Sequence, residues 1–188
     1  MTFTPERAQA QFPANVKELL EKSNEKLKYP SGLVIDISVK MSMLLFSGNG
    51  TMKWYMKGDK DFMMMTMKAM GQEETEESGF DGQQAWAYMK ATYKGEKDSL
   101  IITKTNVIRN NNFGLNIDYE KSYKTAKMKE KGRNYEIDFS NRIDPEHPKK
   151  MTIKIEKSNY YLREISTSVG VAKVTLTVTK VTKGCSDN

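Results

Sequence analysis

Leu33-Val34-Ile35-Asp36-Ile37-Ser38-Val39-Lys40-Met41-Ser42-Met43-Leu44-Leu45-Phe46 is the stretch on which the fold turns. Leu33, Ile35, Ile37, Val39, Met41, Met43 and Leu45 alternate with Val34, Asp36, Ser38, Lys40, Ser42, Leu44 and Phe46. Successive strand side chains point to opposite faces, so a period of two describes a long, half-buried β-strand. Ser47-Gly48-Asn49-Gly50 follows as a hairpin signal. Beyond it Met52, Trp54 and Met56 alternate with Lys53, Tyr55 and Lys57, and Gly58-Asp59-Lys60-Asp61 turns the chain again.

The next strand is unusual in composition: Phe62-Met63-Met64-Met65-Thr66-Met67-Lys68-Ala69-Met70. Met63, Met65, Met67 and Ala69 share one face; Phe62, Met64, Thr66, Lys68 and Met70 share the other. Methionine is unbranched and polarizable, and a wall of it moulds to ligands of varied shape. Cores use it sparingly because it specifies packing poorly. A row in strand phase therefore suggests an adaptable apolar surface, with a methionine-rich core strand as the plain alternative.

Toward the N-terminus the period becomes helical. Thr4-Pro5 can open a short helix, and Pro13 restarts one that is expected to reach Lys28. Val16, Leu19, Leu20, Ser23 and Leu27 form an apolar stripe opposite Lys17, Glu18, Glu21, Glu25 and Lys28. Tyr29-Pro30-Ser31-Gly32 ends it.

Toward the C-terminus, Glu73-Glu74-Thr75-Glu76-Glu77 has the composition of a solvated loop, and Asp81-Gly82 marks a turn. Ala85 to Tyr93 is a strand whose phase stays open: Trp86 and Tyr88, or Ala85, Ala87, Met89, Ala91 and Tyr93, fit the inner face. Asp98 to Asn112 fits either a short second helix or a loop. Strands follow at Tyr119 to Met128, Asn134 to Ser140, Met151 to Glu156, Tyr160 to Val169 and Val171 to Thr182. Turn signals every ~8–12 residues behind one amphipathic helix describe an α+β, mainly β, domain. The expected architecture is an open antiparallel half-barrel across residues 1–188, its concave face covered by the N-terminal helix.

The bulk numbers agree. With 38% hydrophobic and 29% charged residues in 188, a single domain with its own core is expected. The net charge of +6 permits an anionic partner, but the lysines are spread along the chain, and the aromatic interleaving that stacks bases is absent. Nucleic acid is therefore not expected. Lys121, Lys124, Lys127, Lys129, Lys131 and Arg133 make a basic hairpin, a solvated one in the simplest reading. The lone Cys185 cannot form an internal disulfide. No window approaches the roughly 18–20 apolar residues of a membrane-spanning helix, and Met1-Thr2-Phe3-Thr4-Pro5-Glu6 lacks the features of a secretory signal. Either a cytosolic protein or a mature form without its signal fits.

Catalytic motifs are missing. His147, the one histidine, sits in Pro145-Glu146-His147-Pro148, an exposed turn by composition and without a local partner. Cys185 has no metal-ligand spacing around it, and no phosphate-cradling loop or nucleophile elbow is present. Thioethers favour monovalent copper, but Met63, Met64 and Met65 alternate between faces and do not converge on one ion. No enzyme, cofactor or metal is expected. What remains is an apolar face: Leu33, Ile35, Ile37, Val39, Met41, Met43, Leu45, Met52, Trp54, Met56, Met63, Met65 and Met67, with Met89 beyond them. If the helix covers part of that face, with Val16, Leu19, Leu20 and Leu27 as a lid, the remainder is a pocket for lipid or another apolar ligand.

The order of these elements, with Gly50-Thr51-Met52-Lys53-Trp54-Tyr55, Phe80-Asp81-Gly82-Gln83-Gln84-Ala85-Trp86-Ala87-Tyr88, Tyr135-Glu136-Ile137-Asp138-Phe139 and Leu162-Arg163-Glu164-Ile165, resembles the periplasmic lipoprotein-carrier family, LolA-like proteins with their relatives LolB and RseB. The resemblance implies an unclosed barrel with a helical lid, whose cavity holds lipoprotein acyl chains. It implies a monomeric, non-enzymatic carrier of the periplasm, its signal peptide removed, exchanging cargo with a membrane donor or acceptor protein. An RseB-like sensor of lipid or misfolded protein is the alternative within the same resemblance, and a surface β-protein with a closed core the alternative outside it. Two departures stand out. Met56-Lys57-Gly58-Asp59 occupies the place of the family's lid-holding Arg-Pro, and lysine lacks arginine's donor fork. The family also continues into another strand where this sequence ends in Cys185-Ser186-Asp187-Asn188.

Overall fold

The computed structural model describes residues 12–93, 96–105, 118–145 and 147–184. Its strands are β1 (Leu33–Ser42), β2 (Ser47–Lys57), β3 (Lys60–Ala69), β4 (Gln72–Phe80), β5 (Ala85–Tyr93), β6 (Glu96–Thr105), β7 (Tyr123–Lys131), β8 (Asn134–Arg142), β9 (Met151–Glu156), β10 (Leu162–Val169) and β11 (Ala172–Lys183). They form one antiparallel sheet in the order β6-β5-β4-β3-β2-β1-β11-β10-β9-β8-β7. Two meanders, β1 to β6 and β7 to β11, thus join through the β1–β11 pair. β6 and β7 remain edges, so the sheet is an open half-barrel.

Bulges help to curve it. Between Asp36 and Ile37 the register with β11 slips, and the extra Thr179 donates its hydroxyl to the Asp36 carbonyl at 3.0 Å. Other slips lie in the β9–β10 and β5–β6 pairs. An extra residue bends its strand and increases the local twist.

On the concave side lies α1 (Ala14–Glu25). Pro13 precedes it with φ −56°, and Val16, Leu19, Leu20 and Ser23 face inward at helical spacing. Burial of a large aliphatic side chain of this kind contributes about 1.5–3 kcal/mol. The helix stops earlier than its sequence pattern suggests. From Lys26 to Lys28 the amides bond three residues back, to Ser23, Asn24 and Glu25, so the last turn tightens before Pro30. Leu27 still packs against the core.

Four other expectations are corrected. The first hairpin turns at Leu44-Leu45, closed by the Met43 amide on the Phe46 carbonyl at 2.8 Å, and not at Ser47–Gly50. Those glycines lie inside β2 because neighbouring backbone passes too close for a side chain: a β-carbon on Gly50 would sit 2.3 Å from the Thr66 carbonyl oxygen. The acidic run Glu73–Glu77 is strand, not loop. Pairing with β3 on one side and β5 on the other outweighs the low strand preference of glutamate. Residues 98–105 belong to β6, and 106–112 of that segment lie outside the described residues. Tyr119–Ser122 is a helical turn, α2, whose Asp118 side chain accepts the Lys121 amide, and the strand begins at Tyr123.

Candidate functional site

Cross-strand register fixes one continuous wall. Leu33, Ile35 and Ile37 stand opposite Met56, Trp54 and Met52. Trp54, Met52 and Gly50 stand opposite Met63, Met65 and Met67. These are the concave-face positions of β1, β2 and β3, and the methionine row is therefore a direct extension of the β1 core row. In β5 the register pairs Met89 with Glu76 and Ala87 with Ser78. Trp86 falls on the convex side, where its ring lies against Gly79 and stacks on Phe62 at 5.7 Å.

Burial grades along this wall. Leu33, Ile35, Ile37, Val39, Met52, Trp54 and Met63 are buried, whereas Met41, Met56, Met65 and Met67 are half-buried. The grading follows α1, which leans toward the β7–β9 side. Phe12 just ahead of it meets Phe139 of β8 at 5.7 Å, Lys17 pairs with Glu120 at 2.9 Å, and Lys22 lies over the Tyr160 ring at 5.4 Å. Under the helix the space is filled by Tyr119, Tyr123, Ile137, Phe139, Met151, Ile153 and Ile155. Two wall positions depart from the row. Met43 and Leu45 lie in the hairpin turn and not on the strand, and Leu45 is 95% exposed.

The sequence reading missed two carboxylates on this face. Glu76 stands opposite Met65 and Glu74 opposite Met67. The signal was there: Glu74, Glu76, Ser78 and Phe80 keep the period of two. Burial, and then the nearby Glu74 charge, hold the Glu76 carboxyl above its ordinary value. Beyond the methionines the wall is thus acidic at its rim.

Elsewhere the polar candidates are structural. His147 is not exposed: its ring packs 6.3 Å from that of Tyr123, Nδ1 is buried, and Nε2 lies 3.7 Å from Asp144. The basic hairpin is met by carboxylates of β8, since Lys129 pairs with Glu136 at 2.7 Å and Asp138 at 3.2 Å. Lys57, at the place of the family's arginine, is exposed at the end of β2. Cys185 lies outside the described residues. Among the described residues no group of three or more His, Cys, Asp or Glu is placed to hold a metal ion, and no helix is long and apolar enough to cross a membrane. A groove of about 220 Å³ lies on the convex face between Asp36, Ser38, Thr51, Lys53, Met64, Thr66 and Thr179. The concave residues Ile37 and Met52, which also border it, contribute main chain, because their side chains point the other way.

Solved structures share this architecture. The lipoprotein LppX from Mycobacterium tuberculosis aligns with 93% of this chain and 98% of its own, at 9% identity and a TM-score of 0.53. An uncharacterized conserved protein from Thermus thermophilus aligns with 92% of this chain and 90% of its own, at 11% identity and a TM-score of 0.56. A LolA superfamily protein from Nitrosomonas europaea aligns with 90% of this chain and 94% of its own, at 11% identity and a TM-score of 0.42. The fold is the open half-barrel shared with LppX and the Thermus protein. No family model matches the sequence, and neither does any curated protein. At such identities the likeness extends to the fold alone, and the chemistry of the wall is this chain's own.

Proposed function

We propose that this chain binds an acyl chain or similar apolar ligand against the concave methionine wall and carries it, without catalysis, in the cell envelope. One observation supports this above the rest: the core row does not end where the helix cover ends. It continues through Met65 and Met67, half-buried, in register with buried Met52 and with Gly50. An ordinary core closes with branched aliphatics, whereas here its margin is built from the most adaptable apolar side chain. The likeness to the lipoprotein LppX favours an envelope setting, most simply a periplasmic one with the signal peptide removed. Cargo would pass as a monomer to and from membrane donor or acceptor proteins.

A carrier needs moderate affinity. Burial contributes about 0.8 kcal/mol per methylene, so a fully engulfed chain would leave too slowly unless its cover moves. Val16, Leu19, Leu20 and Leu27 of the helical segment are the lid in this reading.

The test is native mass spectrometry of protein purified from a Gram-negative host, with uptake of a fluorescent fatty acid. Co-purifying lipid, and uptake abolished by Met65→Asp with Met67→Asp in a folded variant, support the carrier. Absence of both lipid and uptake overturns it and leaves a closed-core β-protein.

A further inference from the structure

We infer that the end of the half-barrel carrying the β1–β2, β3–β4 and β10–β11 turns docks on an anionic lipid bilayer. Register places these turns together. Ser42 pairs with Ser47 and with Lys173, Gly48 pairs with Ala69, and Val169 pairs with Ala172. The β8–β9 connection joins the same end, because Met151 pairs with both Phe139 and Thr167. Neighbouring turns lie two strands apart, about 10 Å along the rim.

Each of the three hairpin tips is apolar and in solvent. Leu44 is 90% exposed, Leu45 95%, Met70 74% and Val171 69%. Turns are ordinarily polar, and at the opposite end of the sheet they are: Gly58-Asp59, Asp81-Gly82-Gln83-Gln84, Gly132-Arg133 and Ser158-Asn159. The contrast between the two ends is the observation that carries the inference. Solvent-exposed leucines contribute nothing to this fold, and Leu44-Leu45 has no residue that favours a turn.

The occupant follows from spacing and charge. Single apolar tips set apart along a rim do not form the contiguous patch that a protein partner covers, but they suit a medium that yields to each tip separately. Among and beside them stand exposed Lys40, Lys149, Lys150 and Lys173, with no ion pair among the described residues; against these four stand exposed Glu74 and Glu73, the latter already paired with Lys68 at 2.7 Å. Basic residues beside apolar tips match anionic headgroups over acyl chains. The half-buried Met41, Met65 and Met67 run out to this same end. Docking itself does not require the carrier reading; the passage of an acyl chain from bilayer to wall rests on it.

The experiment is co-sedimentation of the full chain with phosphatidylcholine vesicles, with and without phosphatidylglycerol, at low and high salt. The chain should pellet with the anionic vesicles at low salt. Leu44→Asp with Leu45→Asp should weaken binding at least about tenfold, and Lys40→Glu or Lys173→Glu roughly fivefold each. Arg133→Glu, at the far end, should leave it unchanged. These positions are exposed, and circular dichroism checks that each variant folds. A wild-type chain that stays in the supernatant, or a leucine variant that pellets as well as wild type, overturns the proposal. Loss of vesicle binding with fatty-acid uptake intact separates a failure here from a failure of the carrier reading.

Discussion

The sulfur of Met67 lies across the backbone of Gly50, so close that a β-carbon on Gly50 would approach it to 2.4 Å. The same β-carbon would also meet the Thr66 carbonyl oxygen at 2.3 Å. The two obstacles differ in kind, since a thioether swings aside and a paired strand backbone does not. Gly50→Ala should therefore destabilise by about 1–3 kcal/mol, the range of core overpacking. Adding Met67→Ala should recover little of the loss. Urea unfolding of the two single variants and the double variant measures this; full recovery in the double variant would assign the constraint to Met67 alone.

Gly79 presents the opposite case on the convex face. Its three nearest obstacles, all at 2.9 Å, are atoms of the Trp86 indole. That ring in turn stacks on Phe62, which packs against Tyr55 at 5.7 Å, so a row of rings crosses the sheet over the glycine. Gly79→Ala should destabilise by about 1–3 kcal/mol in the wild-type background. In a Trp86→Ala background it should cost much less. A double-mutant cycle followed by urea unfolding should thus show strong coupling, and additivity would contradict the packing described.

These two glycines explain what the sequence disclosed and what it withheld. Period-two patterning from Leu33 to Met41, Met52 to Met56 and Met63 to Met67 marks one face of β1, β2 and β3, because one-sided burial leaves its mark on every second residue, while the same pattern runs on through Met43 and Leu45 into the turn. The helix stripe Val16, Leu19 and Leu20 was legible for the same reason. Ser47-Gly48-Asn49-Gly50 reads as a turn in sequence because a glycine demanded by close backbone approach looks identical to one demanded by a tight turn. The strand at Glu73–Glu77 was hidden because pairing on both sides, a long-range fact, outweighs local preference. His147 looked exposed between two prolines, yet it is held against Tyr123, a residue 24 positions away in sequence. The candidate wall was therefore readable, while its acidic margin and the apolar tips emerge only once the register is known.

The carboxylates Glu76 and Glu136 should respond to pH with opposite signs. Burial raises Glu76 above 4.5, so the folded state holds its proton more tightly than the unfolded chain does. Its contribution is most favourable below the unfolded value and declines as pH rises through the folded one. The hydrogen bond from Lys129, chiefly, lowers Glu136 below 4.5. Its stabilisation is present above the unfolded value and is lost as pH falls through the folded one. Glu76→Gln should raise the melting temperature at neutral pH, and Glu136→Gln should lower it. The Glu76 difference should shrink as pH falls through that carboxyl's raised value, and the Glu136 difference only at lower pH, as pH falls through its depressed value. Thermal melts across that range measure both, and a Glu76→Gln variant less stable than wild type at neutral pH would refute the assignment.

Tyr123 carries the alkaline counterpart. Its side chain is fully buried under α1, and its hydroxyl donates to the Pro148 carbonyl at 3.0 Å. Burial pushes the phenol up to about 12, with the Arg142 charge opposing it. Tyr119, stacked on Phe139 at 4.6 Å, is raised further by burial. Because the folded state retains both protons where an unfolded phenol loses them near 10, stability should be full below that pH. It should decline as pH rises from there through about 12. Ultraviolet titration of the nine tyrosines should show Tyr119 and Tyr123 unionised at pH 11 while the chain remains folded. Tyr123→Phe should cost about 0.5–1.5 kcal/mol for the lost hydrogen bond. It should also reduce the alkaline loss of stability relative to wild type. A Tyr123→Phe variant whose stability falls just as steeply between pH 10 and 12 would show that the phenol at this position does not set the alkaline limit.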